Sequence, residues 1–263
     1  MSAQPATQDL LYTVDNGVGL ITFNRPAARN ALTFAMYQRL AEVCAGAAKD
    51  GAKVLIITGA GGKAFAAGTD ISQFRDFKGG QDGLDYEEMF EKIQAGLEAC
   101  PLPMIAALTG ACTGGGAAIA ACCDLRIATK DVKFGFPIAR TLGNCLSASS
   151  LARFASLIGE ARVKDMIFTS RLLGGEEALA AGLVTELYDT PEALMARAKA
   201  LATEMCGYAP LTLSATKEMF RRLRAARPDV KDADLIAEVY GSADFREGLE
   251  SFLAKRKPEW KGK

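Results

Sequence analysis

The residues best suited to chemistry form a glycine-rich turn near the middle of the chain. A short apolar run, Met104–Leu108, leads through Gly110 into three consecutive glycines, Gly114, Gly115 and Gly116. The run predicts a buried strand, and the small apolar residues after the glycines predict a helix that other backbone can approach closely. A helix that begins on glycines presents unpaired N–H groups at its positive end, and no Cβ blocks access to them. The turn therefore predicts a site that holds negative charge on a substrate oxygen, as an oxyanion hole does.

Two other interpretations of this stretch remain open at the level of sequence. The glycines can serve only to let a helix and a strand pack closely. The mostly apolar residues 104–121 also have nearly the length of a membrane span. They are rich in Gly and Ala rather than Leu, however, and Asp124 and Arg126 end the run abruptly. A membrane-spanning segment is therefore the least favoured of the three.

The composition is that of an ordinary globular protein. The chain has 263 residues, of which 49% are hydrophobic and 24% charged, and its formal net charge is zero. This balance argues against a nucleic-acid or anionic-membrane surface. The N-terminus, MSAQPATQDL, lacks the apolar core of a signal peptide, so we expect a cytoplasmic protein. The seven cysteines lie in mostly apolar settings without zinc-ligand spacing, which predicts reduced thiols and no metal site.

The chain contains no histidine. This removes the commonest general base and every nucleophile system in which histidine activates serine or cysteine.

The elements that must position the glycine turn alternate between strands and helices. Asn16-Gly17 predicts a hairpin between two short strands, and Thr33 is a candidate N-cap for the first long helix. The apolar residues 53–58 predict a buried strand, which a second glycine-rich loop, GAGGKAFAAGTDIS, follows. After Thr190 the pattern changes to helices only. We therefore predict an α/β core over residues 1–190 and a helical C-terminal region over residues 191–263.

Two glycine-rich segments, AFAAGTDI and GACTGGGAAIAACCDLRIA, resemble the signature of the crotonase superfamily, the enoyl-CoA hydratase/isomerase family. The segments ITFNRPAARNAL, KFGFP and EGLESFLAKRKPEW agree in the same order along nearly the whole chain. The resemblance implies a spiral of β-β-α turns, with a helical C-terminal region that builds trimers, often paired into hexamers. It also implies an acyl-CoA thioester as substrate, with coenzyme A carried as part of the substrate and no separate cofactor.

The same resemblance assigns roles to individual residues. The backbone N–H groups of Thr69 and Gly115 match the two donors that hold the thioester oxygen. Arg25 and Arg29 are candidates for the CoA phosphates, with solvated surface arginines as the alternative. Asp70 is either a CoA contact or the N-cap of a helix that begins near the next residue. The positions that match substrate and CoA contacts are Ala28, Ala67, Asp70, Ile71, Gly114 and Pro137.

The sequence departs from the family at the acids. Hydratases of the family use two glutamates, and the matching positions here are Ala118 and Ile138. A third acid position, used by some dehalogenase and synthase relatives, aligns with Ser147. Because none of these side chains is a carboxylate, the usual two-glutamate hydration is in doubt.

Other residues near the expected acyl end offer substitutes. Arg140 and Asn144 are candidate substrate contacts, and the arginine would suit a carboxylate on the acyl group or an ion pair elsewhere. Cys145 is a nucleophile only if Arg140 lowers its pKa; otherwise it is an inert thiol. Ser147 is a candidate helix N-cap. Tyr86, Glu87 and Glu88 open the predicted helix that comes before the central strand Met104–Leu108. A glutamate from this region is either a substitute acid or a partner of the helix dipole.

These observations favour an acyl-CoA enzyme of the enoyl-CoA hydratase/isomerase family that stabilises a thioester enolate. An isomerase, a decarboxylase or a thioester hydrolase with a displaced acid is the alternative enzyme. A non-catalytic acyl-CoA-binding oligomer is the second class of function. RNA binding, as the third class, conflicts with the zero net charge.

Overall fold

The computed structural model describes residues 9–226 and 230–263, which form two β-sheets and the helices around them. The larger sheet has six strands in the order β1-β2-β3-β5-β7-β9. Its first two strands form the predicted antiparallel hairpin, and the remaining neighbours are parallel. The strands of this sheet are β1 (Leu10–Asp15), β2 (Val18–Phe23), β3 (Val54–Gly59), β5 (Met104–Leu108), β7 (Leu125–Thr129) and β9 (Leu187–Tyr188).

The smaller sheet consists of three parallel strands of three residues each, β4 (Ala64–Ala66), β6 (Ala111–Thr113) and β8 (Lys133–Gly135). Each of them follows a strand of the larger sheet and precedes a helix. The chain therefore repeats a β-β-α turn three times, which confirms the predicted spiral. The helices of these turns are α2 (Gly80–Ala99) after β4, α3 (Gly115–Cys122) after β6 and α4 (Ile138–Thr141) after β8.

The central strands β3 and β5 are buried on both faces, which explains their continuous apolar runs. One face of β3 and β5 packs into the main core. The other face, with Val54, Ile56 and Ile105, packs against α8 (Pro191–Cys206). Thr33 caps α1 (Phe34–Gly46) as predicted, because its side chain accepts a hydrogen bond from the Met36 N–H.

The remaining helices complete the core and the C-terminal region. Their bounds are α5 (Ala148–Ile158), α6 (Glu160–Phe168), α7 (Gly175–Ala180), α9 (Pro210–Ala225), α10 (Ala233–Gly241) and α11 (Ala243–Ala254). α10 packs along α2 so closely that a Cβ on Gly83 would lie 2.3 Å from the Cβ of Tyr240. α9 contributes no residue to the core within the described part of the chain, and it exposes Leu211, Met219, Phe220 and Leu223.

Three sequence expectations need correction. The polar run IARTLGNCLSASS after Pro137 predicts a loop, but it begins with the short helix α4. The apolar residues at 183–188 predict a last strand, but only Leu187 and Tyr188 form it. The helix that carries Tyr86 and Glu87 begins at Gly80, so neither residue lies in its first turn. Since a helix dipole acts mainly within the first turn, it does not explain a glutamate at position 87.

Other predictions from the sequence concern the thiols and a membrane span. All seven cysteines are unpaired thiols, and five of them are buried. Over residues 9–226 and 230–263, no helix is long and apolar enough to cross a membrane. The same part of the chain holds no cluster of three or more side chains with metal-ligating groups.

Candidate active site

A cavity of about 570 Å³ lies between four parts of the chain. They are the turn after β4, the start of α3, the middle of α2 and the C-terminal helix α11. The wall is mostly apolar and includes Phe90 and Phe136 from the core and Phe252 from α11. It brings together most of the residues singled out in the sequence, namely Ala28, Ala67, Thr69, Asp70, Ile71, Gly114, Gly115, Ala118, Pro137, Ile138 and Asn144.

The two glycine-rich turns meet on this wall. A Cβ on Gly114 would lie 3.4 Å from the Cα of Gly68, so the turns touch through glycine backbone. Gly68 has φ +113° and Gly114 has φ +52°, values that favour glycine at both positions. The close approach places the backbone of Thr69 beside that of Gly115, the first residue of α3.

The N–H groups of Thr69 and Gly115 lack an acceptor among the residues that the structure describes. For Gly115 the reason is its place at the start of α3, where N–H groups have no partner within the helix. At Thr69 the backbone pairs with Leu32 through the residues on either side. The Leu32 N–H donates to the Gly68 carbonyl, and the Leu32 carbonyl accepts from the Asp70 N–H, so the Thr69 N–H takes no part. Two unpaired donors on one cavity wall can stabilise a developing negative charge on a bound oxygen.

Three buried hydroxyl groups lie directly behind these donors. Oγ1 of Thr69 lies 2.9 Å from the hydroxyl of Tyr37 and 2.9 Å from the hydroxyl of Tyr86. Burial raises the pKa of both tyrosines, so both stay protonated at neutral pH. Sequence reasoning missed Tyr37, because no local pattern links a residue in α1 to a turn 32 positions further along the chain.

Ala118 and Ile138, the positions that the resemblance assigns to the two acids, both line the wall and carry no carboxylate. Among the described residues that line the cavity, only Asp70 and Glu87 carry a carboxyl group. They differ sharply in their surroundings.

Both carboxylate oxygens of Asp70 accept hydrogen bonds from neighbouring residues of the chain. One oxygen accepts from the N–H and the hydroxyl of Ser72, which confirms the N-cap alternative, and the other accepts from Arg25 at 2.9 Å. Partial burial favours the protonated form, but the hydrogen bonds from Ser72 and Arg25 hold the pKa of Asp70 below its usual value. An aspartate that stays ionised and paired is a poor proton carrier at neutral pH.

Glu87 is buried, with 7% of the residue exposed, and it lines the cavity. Its Oε1 accepts a hydrogen bond of 2.8 Å from the hydroxyl of Tyr240, which in turn accepts one of 3.2 Å from Nδ2 of Asn144. Burial raises the pKa of Glu87 to about 7, although the bonds from Tyr240 and the Ser147 amide oppose that rise. A carboxyl group with a pKa near 7 is suited to both accept and donate a proton.

The structure separates three other candidates from the cavity wall. Arg140 lies exposed on α4 and does not line the cavity, so its predicted contact with a substrate carboxylate has no support within this chain. A nucleophilic Cys145 needs a lowered pKa, and the structure shows the opposite. Burial, together with the negative charges of Glu87 and Asp232, raises the pKa of Cys145 to about 12. Ser147 caps α5, as predicted, by accepting from the Ser150 N–H.

The two arginines proposed for phosphates have different surroundings. Arg25 donates to Asp70 and, at 2.6 Å, to the carbonyl of Ala31, so its guanidinium is engaged within the chain. Arg29 is exposed at the rim of the cavity. Of these two arginines, only Arg29 is therefore exposed on the lining of the cavity.

Comparison with known proteins identifies the family. The family model for enoyl-CoA hydratase/isomerase matches residues 13–263. The chain belongs to the enoyl-CoA hydratase/isomerase family. This crotonase-family enzyme is 32% identical over 256 residues to the short-chain-enoyl-CoA hydratase of Clostridium acetobutylicum, an alignment that covers 95% of this chain and 97% of the relative.

Solved structures of the family superimpose over nearly the whole chain. An enoyl-CoA hydratase/carnithine racemase from Magnetospirillum magneticum has a TM-score of 0.78 at 32% identity and covers 97% of this chain and 96% of its own. Methylmalonyl-CoA decarboxylase in complex with 2-nitronate-propionyl-CoA has a TM-score of 0.88 at 28% identity and covers 97% of this chain and 99% of its own. This family member thus resembles enzymes named for different reactions.

Proposed function

We propose that this enzyme binds an acyl-CoA thioester and stabilises its enolate through the N–H groups of Thr69 and Gly115. The observation that carries the proposal is the pair of unpaired N–H groups side by side on the cavity wall. Relatives named for CoA esters, including a decarboxylase structure with a bound acyl-CoA analogue, support the substrate class. Coenzyme A enters as part of the substrate, and the proposal requires no separate cofactor or metal.

The proposed reaction does not use the two-glutamate hydration of the family. Ala118 and Ile138 line the cavity where the two acids would stand, and neither side chain can ionise or hold a water by charge. The absence of ionisable side chains at Ala118 and Ile138 therefore favours reactions that need an enolate and at most one carboxyl group.

Decarboxylation is the second candidate. The decarboxylase structure matches this chain with a higher TM-score, 0.88, than the hydratase/racemase structure, 0.78. Loss of CO2 leaves an electron pair on the carbon next to the thioester, so the reaction needs an oxyanion hole and no strong base. Thioester hydrolysis and binding without turnover are further outcomes of the test below.

For the ligand, we propose that the CoA part runs past Ala28, Ala67 and Ile71 to Arg29 at the rim. We also expect a homotrimer or homohexamer. The apolar side chains that α9 exposes support assembly, because contiguous apolar surface marks interaction sites. Sedimentation equilibrium of the purified chain measures this state directly.

The test is a panel of thioesters with crotonyl, 3-enoyl, dicarboxyl and malonyl groups, with free CoA as the control. For each ligand, the thermal midpoint of unfolding and the formation of product are measured. A ligand that binds only the folded state raises the midpoint, so binding is seen even without turnover. We expect stabilisation by thioesters without rapid hydration of crotonyl-CoA. No stabilisation by any thioester would overturn the CoA assignment, and rapid hydration would overturn the account of Ala118 and Ile138.

A further inference from the structure

We propose that Glu87 is the acid–base residue of this cavity, and that it moves a proton from one carbon of an enoyl thioester to another. The inference rests on the proposed function and narrows it to isomerisation of a double bond. It assigns the chemistry to a carboxyl group on α2, whereas Ala118 and Ile138 leave the two family positions empty.

The choice of Glu87 follows from the geometry of the wall. Of the two described carboxyl groups there, Asp70 is held by Ser72 and Arg25, and only Glu87 is buried. The preceding residue, Tyr86, bonds to the side chain of Thr69 at 2.9 Å. The same turn of α2 therefore makes a hydrogen bond to Thr69, one of the two oxyanion donors, and carries the carboxyl group of Glu87.

Two side chains from outside α2 fix the carboxyl group. The hydroxyl of Tyr240 donates to Oε1 of Glu87, and Nδ2 of Asn144 donates to that hydroxyl. Gly83 permits this arrangement, because any side chain there would collide with Tyr240. Oδ1 of Asn144 is buried without a partner among the described residues, and Asn144 lines the cavity. Tyr240 and Asn144 are therefore positioning residues rather than proton carriers.

The charges around Glu87 keep both of its protonation states accessible. The negative charges of Asp232, just before α10, and of Glu91 on α2 oppose ionisation of Glu87. The Cys145 thiol, which lies between α4 and α5, also faces Glu87. The hydroxyl of Tyr240 and the amide of Ser147 stabilise the carboxylate. The balance between burial and these two donors places the change of charge near neutral pH.

The step balances without another reactant. The carboxylate of Glu87 takes a proton from C2 of a 3-enoyl thioester. The electron pair of the C–H bond forms a double bond between C1 and C2, and the π pair of the carbonyl moves to the thioester oxygen. The N–H groups of Thr69 and Gly115 hold the resulting dienolate. The new carboxyl group then gives its proton to C4, so the double bond lies between C2 and C3 and the carboxylate is restored. Hydration would instead need a second group to hold and activate water.

The test compares wild type, Glu87→Gln and Glu88→Gln with a 3-enoyl-CoA in D2O. Glu88 is the matched control, since it is the next residue on the same helix, is exposed and pairs with Lys92. Conversion to the 2-enoyl product is followed by the ultraviolet absorbance of the conjugated thioester, entry of deuterium by mass spectrometry, and binding by thermal stabilisation. We expect Glu87→Gln to lose at least about a hundredfold in rate while it keeps the stabilisation, and Glu88→Gln to match wild type.

The outcomes separate the two proposals. No stabilisation of wild type by the thioester overturns the proposed function. Binding by wild type without any conversion or exchange overturns the acid–base assignment alone, and so does a Glu87→Gln variant that reacts as fast as wild type.

A second variant keeps the test decisive where Glu87→Gln does not fold. Tyr240→Phe removes a hydrogen bond that stabilises the carboxylate, so the pKa of Glu87 rises. Because the reaction needs the carboxylate, we expect the rising limb of the rate against pH to move to higher pH. A change in rate that is the same at every pH would show a purely structural role for Tyr240 and contradict the assignment.

Discussion

The hydroxyl oxygen of Tyr37 lies 2.9 Å from Oγ1 of Thr69, and it fills the space in which a Cβ on Gly115 would stand. An added Cβ would lie 1.9 Å from that hydroxyl oxygen and 3.0 Å from Oγ1 of Thr69. The middle glycine of the triplet is therefore required by a specific neighbour as well as by access to its N–H. The two halves of the oxyanion site are joined through this contact.

Gly115→Ala tests the contact. The new methyl group displaces the Tyr37 hydroxyl and with it the side chain of Thr69, so both N–H groups move. We expect a loss of about a hundredfold or more in turnover, the size typical of losing one oxyanion donor. We also expect a lower unfolding free energy in urea.

The matched control is the double variant Tyr37→Phe with Gly115→Ala. Phenylalanine has no hydroxyl, and the next atom of the ring is 3.2 Å from the added Cβ, a contact that a small shift relieves. We expect the double variant to regain part of the stability lost in Gly115→Ala. A double variant no more stable than the single one contradicts this explanation of the glycine.

Thr69 contributes to the site through its backbone, whereas its hydroxyl holds two tyrosines. Thr69→Val leaves the N–H in place but leaves the hydroxyls of Tyr37 and Tyr86 without their shared partner. We expect a loss of roughly 1–3 kcal/mol in unfolding free energy, as for buried polar groups left unpaired. Thr69→Ser keeps an oxygen there and should lose less. Equal stability of the two variants in urea denaturation would contradict a role for the hydroxyl.

Glu87 also gives a prediction for stability against pH. Its pKa is about 7 in the folded protein against a usual value of 4.5, so the folded state holds a proton that the unfolded state releases. The stability that this proton provides is complete below about pH 4.5 and is lost as pH rises through 7. Relative to Glu87→Gln, wild type should therefore lose on the order of 3 kcal/mol across this window. Glu88→Gln, measured in the same urea series, should follow wild type, and an identical pH dependence for Glu87→Gln would contradict the burial of an ionisable group.

The sequence predicted the larger elements because each has a strong local pattern. The hairpin at Asn16-Gly17, the buried strand Met104–Leu108 and the N-caps Thr33 and Ser147 are all present. The three strands of the smaller sheet went unassigned, because three residues are too few to show a period. Their pairing depends on segments far apart in the chain.

The candidate site divides in the same way. The glycine turns have local signals that predict an oxyanion site, and the resemblance to the family assigns its two donors to Thr69 and Gly115. The partners of Glu87 were not, since Tyr240 lies 153 positions away and reaches it only because Gly83 lets two helices meet. Arg140 and Cys145 carry suitable chemical groups, but Arg140 lies exposed on α4 and burial raises the pKa of Cys145.

The central claim is that this cavity forms a thioester enolate with one carboxyl group and two backbone donors. The most direct measurement uses wild type with butyryl-CoA in D2O, and follows deuterium at C2 by mass spectrometry between pH 5 and pH 9. Butyryl-CoA has no double bond, so water addition cannot obscure the exchange. The account predicts catalysed entry of deuterium, with a rate that rises through about pH 7. Thermal stabilisation by butyryl-CoA with no deuterium at C2 at any pH would contradict it.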